Sequence, residues 1–395
     1  MKSSFPPQIG PAATRSNPAN RRLRAGIVGG GKGSFIGAVH RTAAELDGQA
    51  LVTAGAMSSD PKLAQQSAAA WFLDRCYSSY LEMAQLEAAH PQGIDFVIVA
   101  TPTHLHYPII CAFIEAGIHV VCDKPLAVTV EEAESLASLA RRSNALIALT
   151  HNYTGYPMVR EARAMVQAGL IGEIRKVIVE YNQDWLMTDV ERTGNKQAEW
   201  RTDPSRAGLS CCVADIGTHA ENLLHFITHQ QITSLCADLS SFVGGRALDD
   251  DANMLLRLSG GGKGTLICSQ VACGEANALS IRIYGSKAGL EWHQQEPNTL
   301  LYKPAGEPWR RLCTGQPQLS TAARSASRIP SGHPEGYLEA FAVLYKNFIA
   351  DIRRCAQGET PTRDYPTVDD GIRGLRFVAG AVQSSKLGAQ WVSLC

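Results

Sequence analysis

Leu23-Arg24-Ala25-Gly26-Ile27-Val28 runs directly into Gly29-Gly30-Gly31-Lys32-Gly33-Ser34-Phe35-Ile36-Gly37, and an amphipathic stretch beginning Ala38-Val39-His40 follows. The short apolar run is a buried-strand signal. Glycines at its end let backbone amides approach a phosphate closely. The first turn of the next helix adds unpaired N–H groups and the positive end of its dipole. Strand, glycine loop and helix in that order predict a dinucleotide-binding turn, with Gly29, Gly31, Lys32, Ser34, Phe35 and Ile36 as cofactor contacts.

Working outward, further strand signals lie at Leu51–Met57, Phe96–Ala100, Ile118–Cys122 and Ala145–Leu149, and helical patterns at Pro61–Ala70, Pro108–Ala116 and Val130–Arg142. Alternation of this kind predicts a parallel sheet with helices on both faces and a ligand at the carboxyl ends of its strands. After His151 the pattern changes. A helix at Pro157–Ala168, a strand at Ile174–Tyr181 and a helix at Ile216–Thr228 precede strands at Ala252–Leu258, Gly264–Val271 and Leu279–Tyr284, joined by turns such as Ser259–Gly262. Consecutive strands with short turns predict antiparallel pairing. Ser320–Gly332 reads as a loop and Tyr337–Ile352 as a closing amphipathic helix. The expected organisation is a disordered tail over 1–22, a Rossmann NAD(P)-binding domain over 23–150, and an α+β domain with a mostly antiparallel open sheet over 151–395, which binds substrate and oligomerises. The fold class is α/β.

Composition narrows the function. Hydrophobic residues make up 45% and charged residues 19% of 395, which fits a folded protein. Lysine plus arginine equals aspartate plus glutamate at 37 each, so no global field favours nucleic acid or an anionic membrane. No apolar run approaches the roughly 20 residues of a membrane span. Arg21-Arg22 is followed by too short an apolar stretch for twin-arginine export. The eleven cysteines show one adjacent pair, Cys211-Cys212, and no C-x-x-C spacing. They read as reduced core thiols of a cytoplasmic protein with no metal site.

The turns after the other strands carry the chemistry. Met57-Ser58-Ser59-Asp60 ends the second strand, where an acid often binds the ribose of NAD. Ser58 and Ser59 stand there instead and Lys62 is close by, so NAD is preferred and NADP stays open. The third strand ends in Thr101-Pro102-Thr103-His104-Leu105-His106, where Thr103 suits a helix cap. Thr101, Pro102, His104 and His106 are the expected ribose or nicotinamide contacts at this edge. The fourth ends in Asp123-Lys124-Pro125, and Pro125 keeps Lys124 extended where the reactive ring should lie. Asp215 and His219, four apart, share one face of a helix's first turn. Taken alone, that pair also reads as a capping acid and a buried histidine.

Taken together, these signals resemble the glucose-fructose oxidoreductase / inositol dehydrogenase / rhizopine-catabolism (Gfo/Idh/MocA) family over nearly everything after Arg22. The resemblance rests on the glycine loop with His40 three residues after Gly37, Thr101-Pro102 with His106, Asp123-Lys124-Pro125, Leu170-Ile171-Gly172-Glu173-Ile174, Asp215 with His219, Gly285-Ser286-Lys287-Ala288-Gly289, and Asp370-Gly371. It implies that Lys124 and His219 handle a proton while Asp215 contacts or orients substrate, making these three the catalytic residues. This sequence departs from the family at the lengthened glycine loop and at Asp123, Thr103, Thr154 and Asn222, which touch cofactor geometry and substrate identity.

Oxidising an alcohol removes a proton from oxygen as hydride leaves carbon, so a proton acceptor must sit beside both hydroxyl and nicotinamide. Tyr153, Trp185, Trp200 and Arg201 are the expected substrate contacts, with Tyr156 a similar candidate and His333 and Tyr337 ranked below them. The expected activity is NAD(P)-dependent oxidation of a secondary alcohol on a small-molecule sugar, glycoside or cyclitol. The alternatives are an NAD-dependent glycosidase working by oxidation and elimination, and a catalytically silent sugar or nucleotide sensor. A homodimer or homotetramer is expected, because an antiparallel sheet with one uncovered face calls for a partner.

Overall fold

The computed structural model describes residues 17–394. The apolar run at Leu23 forms β1 (Leu23–Gly29), which lies in a parallel sheet with β2 (Ala50–Ala56), β3 (Arg75–Cys76), β4 (Phe96–Ala100), β5 (His119–Cys122) and β6 (Ile147–Leu149). Its order is β3-β2-β1-β4-β5-β6. The crossovers are α1 (Phe35–Glu45), α2 (Pro61–Ala70), α3 (Tyr80–Ala89), α4 (His106–Glu115) and α5 (Val130–Ser143). Local chemistry starts these helices where they begin. Ser34 caps α1 by accepting from Gly37 N–H, and Asp60 caps α2, which opens on Pro61. Thr129 caps α5, whose first turn carries Glu131 and Glu132 and whose last carries Arg141 and Arg142, both matched to the dipole.

Register decides where function can sit. Gly29 lies opposite Ala100, Val99 opposite Cys122, and Cys122 opposite Leu149. The turns after β1, β4, β5 and β6 therefore emerge together on one edge. The strand order reverses between β1 and β4, which opens a crevice there.

The second half begins with α6 (Pro157–Gln167), β7 (Ile174–Asn182), α7 (Lys196–Arg201), α8 (Pro204–Ala207) and α9 (Thr218–Thr228). The strands β8 (Ile232–Ser240), β9 (Asp251–Leu258), β10 (Lys263–Ser269), β11 (Ala278–Gly285), β12 (Ala288–His293), β13 (Thr299–Pro304) and β14 (Arg310–Cys313) follow. After them come α10 (Thr321–Ala326), α11 (Tyr337–Ala356), α12 (Val368–Lys386) and β15 (Val392–Ser393). The second sheet runs β14-β13-β12-β11-β7-β10-β9-β8-β15, antiparallel except for the β7/β10 pair. Along β9, Ala252, Met254, Leu256 and Leu258 point into the core while Asn253, Leu255 and Arg257 point out. Gly285 at the end of β11 sits against Ile171, where an added Cβ would lie 2.1 Å from the Ile171 carbonyl oxygen. Ser286 and Lys287 donate their backbone N–H groups to Glu173 and Ile171. Two separated motifs of the sequence are thus two sides of one contact.

Four expectations change. Residues 1–16 of the expected tail lie outside the described residues, but 17–22 are ordered: Pro18–Asn20 form a 3-10 turn, and Arg21 pairs in a fork with Asp95 at 2.7 Å. The expected loop Ser320–Gly332 contains α10, because Ser320 caps a short helix by accepting from Ala323 N–H. Not all cysteines are core thiols: the ten described are free, and Cys76 and Cys273 are exposed. The boundary at 150 does not separate the two cores. Phe341, Leu344, Phe348, Ile349 and Ile352 of α11 are buried against Leu23, Ile27, Phe96 and Val121 of the first sheet. At about 1.5–3 kcal/mol for each such side chain, that docking outweighs chain order. The contact is keyed by a 2.7 Å hydrogen bond between His40 Nδ1 and the Tyr345 hydroxyl. No helix among the described residues is long and apolar enough to cross a membrane.

Candidate active site

A cavity of about 720 Å³ opens where the edge of the first sheet faces the second half of the chain. From the first sheet it takes Ser34, Phe35 and Ile36 at the start of α1, Ala100, Thr101 and Pro102 after β4, Asp123 and Lys124 after β5, and Thr150, Asn152 and Tyr153 after β6. The second half contributes Trp185, Trp200, Arg201, Asp215 and His219.

Lys124 and Asp215 meet at its centre. Lys124 Nζ donates to Asp215 Oδ1 at 2.7 Å and to the Asp215 carbonyl at 2.6 Å. Gln270, fully buried, donates to Asp215 Oδ2 at 2.8 Å. Arg201 Nε lies 3.3 Å from the same oxygen as an ion pair without hydrogen-bond alignment. Burial pushes the Asp215 carboxyl up, but the charges of Arg201 and Lys124 outweigh it and hold the pKa well below the usual carboxylate range. The group is therefore an anion at any physiological pH. Asp123 is held in turn by Lys124 N–H at 2.9 Å and the Thr150 hydroxyl at 3.0 Å.

The expected regular helix from Ile216 starts differently. Asp215 lies in a π-helical turn, Val213–Gly217, and α9 begins at Thr218. Wide turns of this kind recur at functional sites because they re-aim side chains. The anchor is Asp249, whose carboxylate accepts from the Ser210 hydroxyl and from the N–H groups of Cys211 and Val213, while Ser210 Oγ accepts from Ala214 N–H. One turn on, the His219 ring packs edge-on to Tyr153 at 4.8 Å between centroids. Burial, then the Lys124 charge, push His219 well below its ordinary pKa, so the ring is neutral. Its Nδ1 lies 3.4 Å from Nδ1 of His151.

Arg201 is sandwiched, with its guanidinium 4.2 Å from the Trp200 ring and 5.8 Å from that of Trp185. Tyr153 and Tyr181 hydroxyls share a 2.5 Å hydrogen bond, and Tyr181 donates to Asn277 Oδ1, which also accepts from Gln183. Tyr181, Gln183, Gln197, Asn277 and Gln294 all line the cavity without having been singled out in the sequence. Asn152 joins them, its Nδ2 buried and unpartnered. Tyr337 lines the cavity too and stacks on Phe35 at 6.3 Å. His333 is exposed and outside it, and Tyr156 is buried against Trp292.

The glycine loop lies at the cavity's edge and fits a phosphate cradle. Gly29 and Gly30 take φ of +77° and +67°, and a Cβ on Gly37 would sit 2.1 Å from the Gly30 carbonyl oxygen, so loop and helix start close to van der Waals limits. Gly33, at φ +87°, has open space where a Cβ would be. Two expected contacts are otherwise engaged: Lys32 N–H donates to Ser67 Oγ at 3.0 Å, and Gly31 is packed against Met57 and Ser67. Ser58 Oγ accepts from Asp60 N–H, Ser59 is exposed, and Asp60 is occupied as the cap of α2. His104 lies outside the cavity lining with its Nδ1 buried. His106 is a correction. It is 1% exposed, and its two ring nitrogens lie 2.8 Å and 2.9 Å from the carbonyls of Pro125 and Thr101. It braces the Thr101 turn against the Lys124 turn rather than facing a cofactor. Burial lowers its pKa against the pull of those carbonyls.

A dinucleotide-type crevice joined to a cavity with an anionic carboxylate, a lysine and a neutral histidine defines an oxidoreductase that uses a nicotinamide cofactor. The comparisons with known proteins agree. Residues 23–167 match the oxidoreductase family with an NAD-binding Rossmann fold, and residues 159–291 match the GFO/IDH/MocA C-terminal domain. The uncharacterized oxidoreductase YfiI of Bacillus subtilis (strain 168) is 36% identical over 94% of this chain and 97% of its own length. Among solved structures, an oxidoreductase from Sinorhizobium meliloti is 47% identical with a TM-score of 0.86, covering 95% of this chain and 100% of that one. An inositol dehydrogenase homolog from Azotobacter vinelandii, complexed with NADH and myo-inositol, is 36% identical with a TM-score of 0.88, covering 96% and 99%. The chain belongs to the GFO/IDH/MocA family of oxidoreductases.

Proposed function

We propose that this protein reversibly oxidises a secondary alcohol of a neutral sugar, glycoside or cyclitol, with NAD as the preferred hydride acceptor. The observation that carries the substrate class is the charge of the cavity wall. Its two cations, Lys124 and Arg201, are matched by two anions, Asp123 and Asp215, and the polar remainder is amides, hydroxyls and a neutral imidazole. An anionic substrate would have to compete with the Asp215 carboxylate already paired to both cations, whereas a polyol needs only the many neutral donors and acceptors. The myo-inositol bound by the Azotobacter vinelandii relative is a ligand of this chemical type.

Each residue then has a task. Gly29, Gly30 and the Ser34-capped start of α1 would hold the pyrophosphate, and Thr101, Pro102 and Asp123 would border the nicotinamide ribose. The bound nicotinamide supplies the hydride acceptor. Lys124 and His219 handle the hydroxyl proton. The lysine ammonium, aligned by Asp215, stabilises negative charge growing on oxygen, and the neutral imidazole accepts the proton. Trp185, Trp200 and Arg201 line the cavity together with Tyr153, whose ring packs against His219. The outward face of β9 carries Leu255 at 52% exposure, and we read that side of the sheet as the contact surface of a homo-oligomer.

The test is a titration of stripped protein with NAD, NADH, NADP and NADPH, then absorbance of the reduced nicotinamide with myo-inositol, levoglucosan, D-xylose and D-glucose. Polyol-dependent reduction in the wild type, lowered by about two to four powers of ten in Lys124→Ala with cofactor binding kept, is the expected result. Tight cofactor binding with no reduction by any polyol would overturn the reading.

A further inference from the structure

His151 touches none of the cavity surface, yet its ring meets His219 edge-on from behind, with centroids 5.1 Å apart and planes at 88°. We infer that His151 is a positioning residue and proton partner of His219: one proton shared between their Nδ1 atoms sets whether Nε2 of His219 faces substrate as an acid or as a base. The inference rests on the dehydrogenase reading above, in which His219 takes the hydroxyl proton.

The geometry leaves few alternatives. The two Nδ1 atoms lie 3.4 Å apart, and the residues are 3% and 7% exposed. Two bare lone pairs at that distance repel, and two N–H groups repel as well. A single proton between them is the favourable state. Burial supports it from both sides, pushing His151 down to about 3 and His219 well below its ordinary value, so neither ring carries charge near neutral pH. The backbone holds His151 in place, since Thr150 N–H donates to the Cys122 carbonyl and the Thr154 hydroxyl donates to the His151 carbonyl. Among the described residues, His219 makes no hydrogen bond through Nε2, and its ring lines the cavity.

Burial opposes charge on both rings, and the surrounding charges act on each of them. Asp370 and Asp123 favour charge on His151, while Lys124 and Arg373 oppose it. His219 is opposed by Lys124 and His151 and favoured by Asp215 alone. During oxidation the substrate O–H breaks and N–H forms at His219 Nε2. The N–H at His219 Nδ1 breaks as one forms at His151 Nδ1, while a bound nicotinamide would take the hydride, and with it the electron pair, from carbon. Positive charge then rests on His151, where Asp370 and Asp123 offset part of what burial, Lys124 and Arg373 impose. Reduction runs the same transfers backwards.

Two variants and a spectrum test this. His151→Phe keeps a flat ring and removes both nitrogens, while His151→Asn keeps a hydrogen-bonding group near the Nδ1 position. The expected result is a loss of about 10²-fold in kcat for His151→Phe with KM and NADH affinity little changed, and partial rescue in His151→Asn. Nitrogen-15 spectra of the histidine rings, read without any substrate, should show one fixed His219 tautomer in the wild type and a mixture in His151→Phe. An unchanged His219 spectrum in His151→Phe overturns the inference, as does unchanged kcat in a variant of an active wild type. Equal losses in both variants, accompanied by weakened NADH binding, assign His151 a purely structural role and also overturn it. A wild type inactive on every polyol but showing the fixed tautomer would sink the dehydrogenase reading and leave the histidine pairing standing.

Discussion

Replacing Asp215 with Asn removes one charge and almost no volume, which makes it a clean probe of the site's electrostatics. One carboxylate faces Lys124 at 2.7 Å and Arg201 at 3.3 Å, and the three side chains are between 11% and 21% exposed. The variant strands two cations in a largely dry wall. Removing one partner of a buried pair costs about 3–5 kcal/mol, and the residual exposure of this one places Asp215→Asn near the lower end, about 3 kcal/mol at pH 7. The sign of the pH dependence follows from the depressed pKa. Burial raises it, Arg201 and Lys124 more than reverse that, and the folded value ends below the unfolded one. A carboxyl of this kind stabilises the fold fully above the unfolded pKa of about 3.9, and the contribution is lost as pH falls through the folded value. The gap in thermal unfolding between wild type and Asp215→Asn should therefore stay constant from about pH 8 to 5 and narrow below about pH 4. Scanning fluorimetry across that range reads it directly. A gap already absent at pH 7, or one that persists unchanged into acid, would refute the account of Asp215 as an anion held by two cations.

Two further outcomes test the cofactor side. Gly37→Ala places a methyl 2.1 Å from the Gly30 carbonyl oxygen and 2.4 Å from Gly30 Cα, both backbone atoms that can move only by opening the loop. Overpacking of about 1–3 kcal/mol should weaken NADH binding by about 5- to 150-fold in a calorimetric titration, and an unchanged Kd would remove this loop from the phosphates. Ser58→Asp supplies the acid that β2 lacks, Asp60 being committed to capping α2. It should cut NADP affinity relative to NAD by about tenfold or more, and an unaltered ratio would show that the ribose lies elsewhere.

The first half of the site was legible because each of its residues follows a parallel strand within a few positions. Once Leu23–Val28 is read as a strand, Gly29, Thr101 and Lys124 fall on one edge by the rule that turns after parallel strands share a side. Role was harder to read than place. His106 stands in the right turn, but whether a ring faces a ligand or ties two loops together depends on contacts that spacing does not encode. The amphipathic pattern of Tyr337–Ile352 likewise announced a helix with one apolar face without saying which of two cores would take it.

The second half resisted because its site is assembled from strand ends far apart in sequence. Tyr181 and Gln183 leave β7, Asn277 precedes β11 and Gln294 follows β12, and the register of an antiparallel sheet, which no local motif states, brings them to one wall. Asp215 and His219 carried a signal through their spacing, yet the π-turn that aims Asp215 at Lys124 is fixed by Asp249, a residue in a loop with no motif of its own. The same holds one layer deeper. His151 is a buried polar side chain, and only the arrival of His219 from α9 turns it from a group costly to keep into a partner for a proton. Where a fold tolerates that cost directly behind a reacting group, the economical explanation is that the group needs what the buried side chain provides.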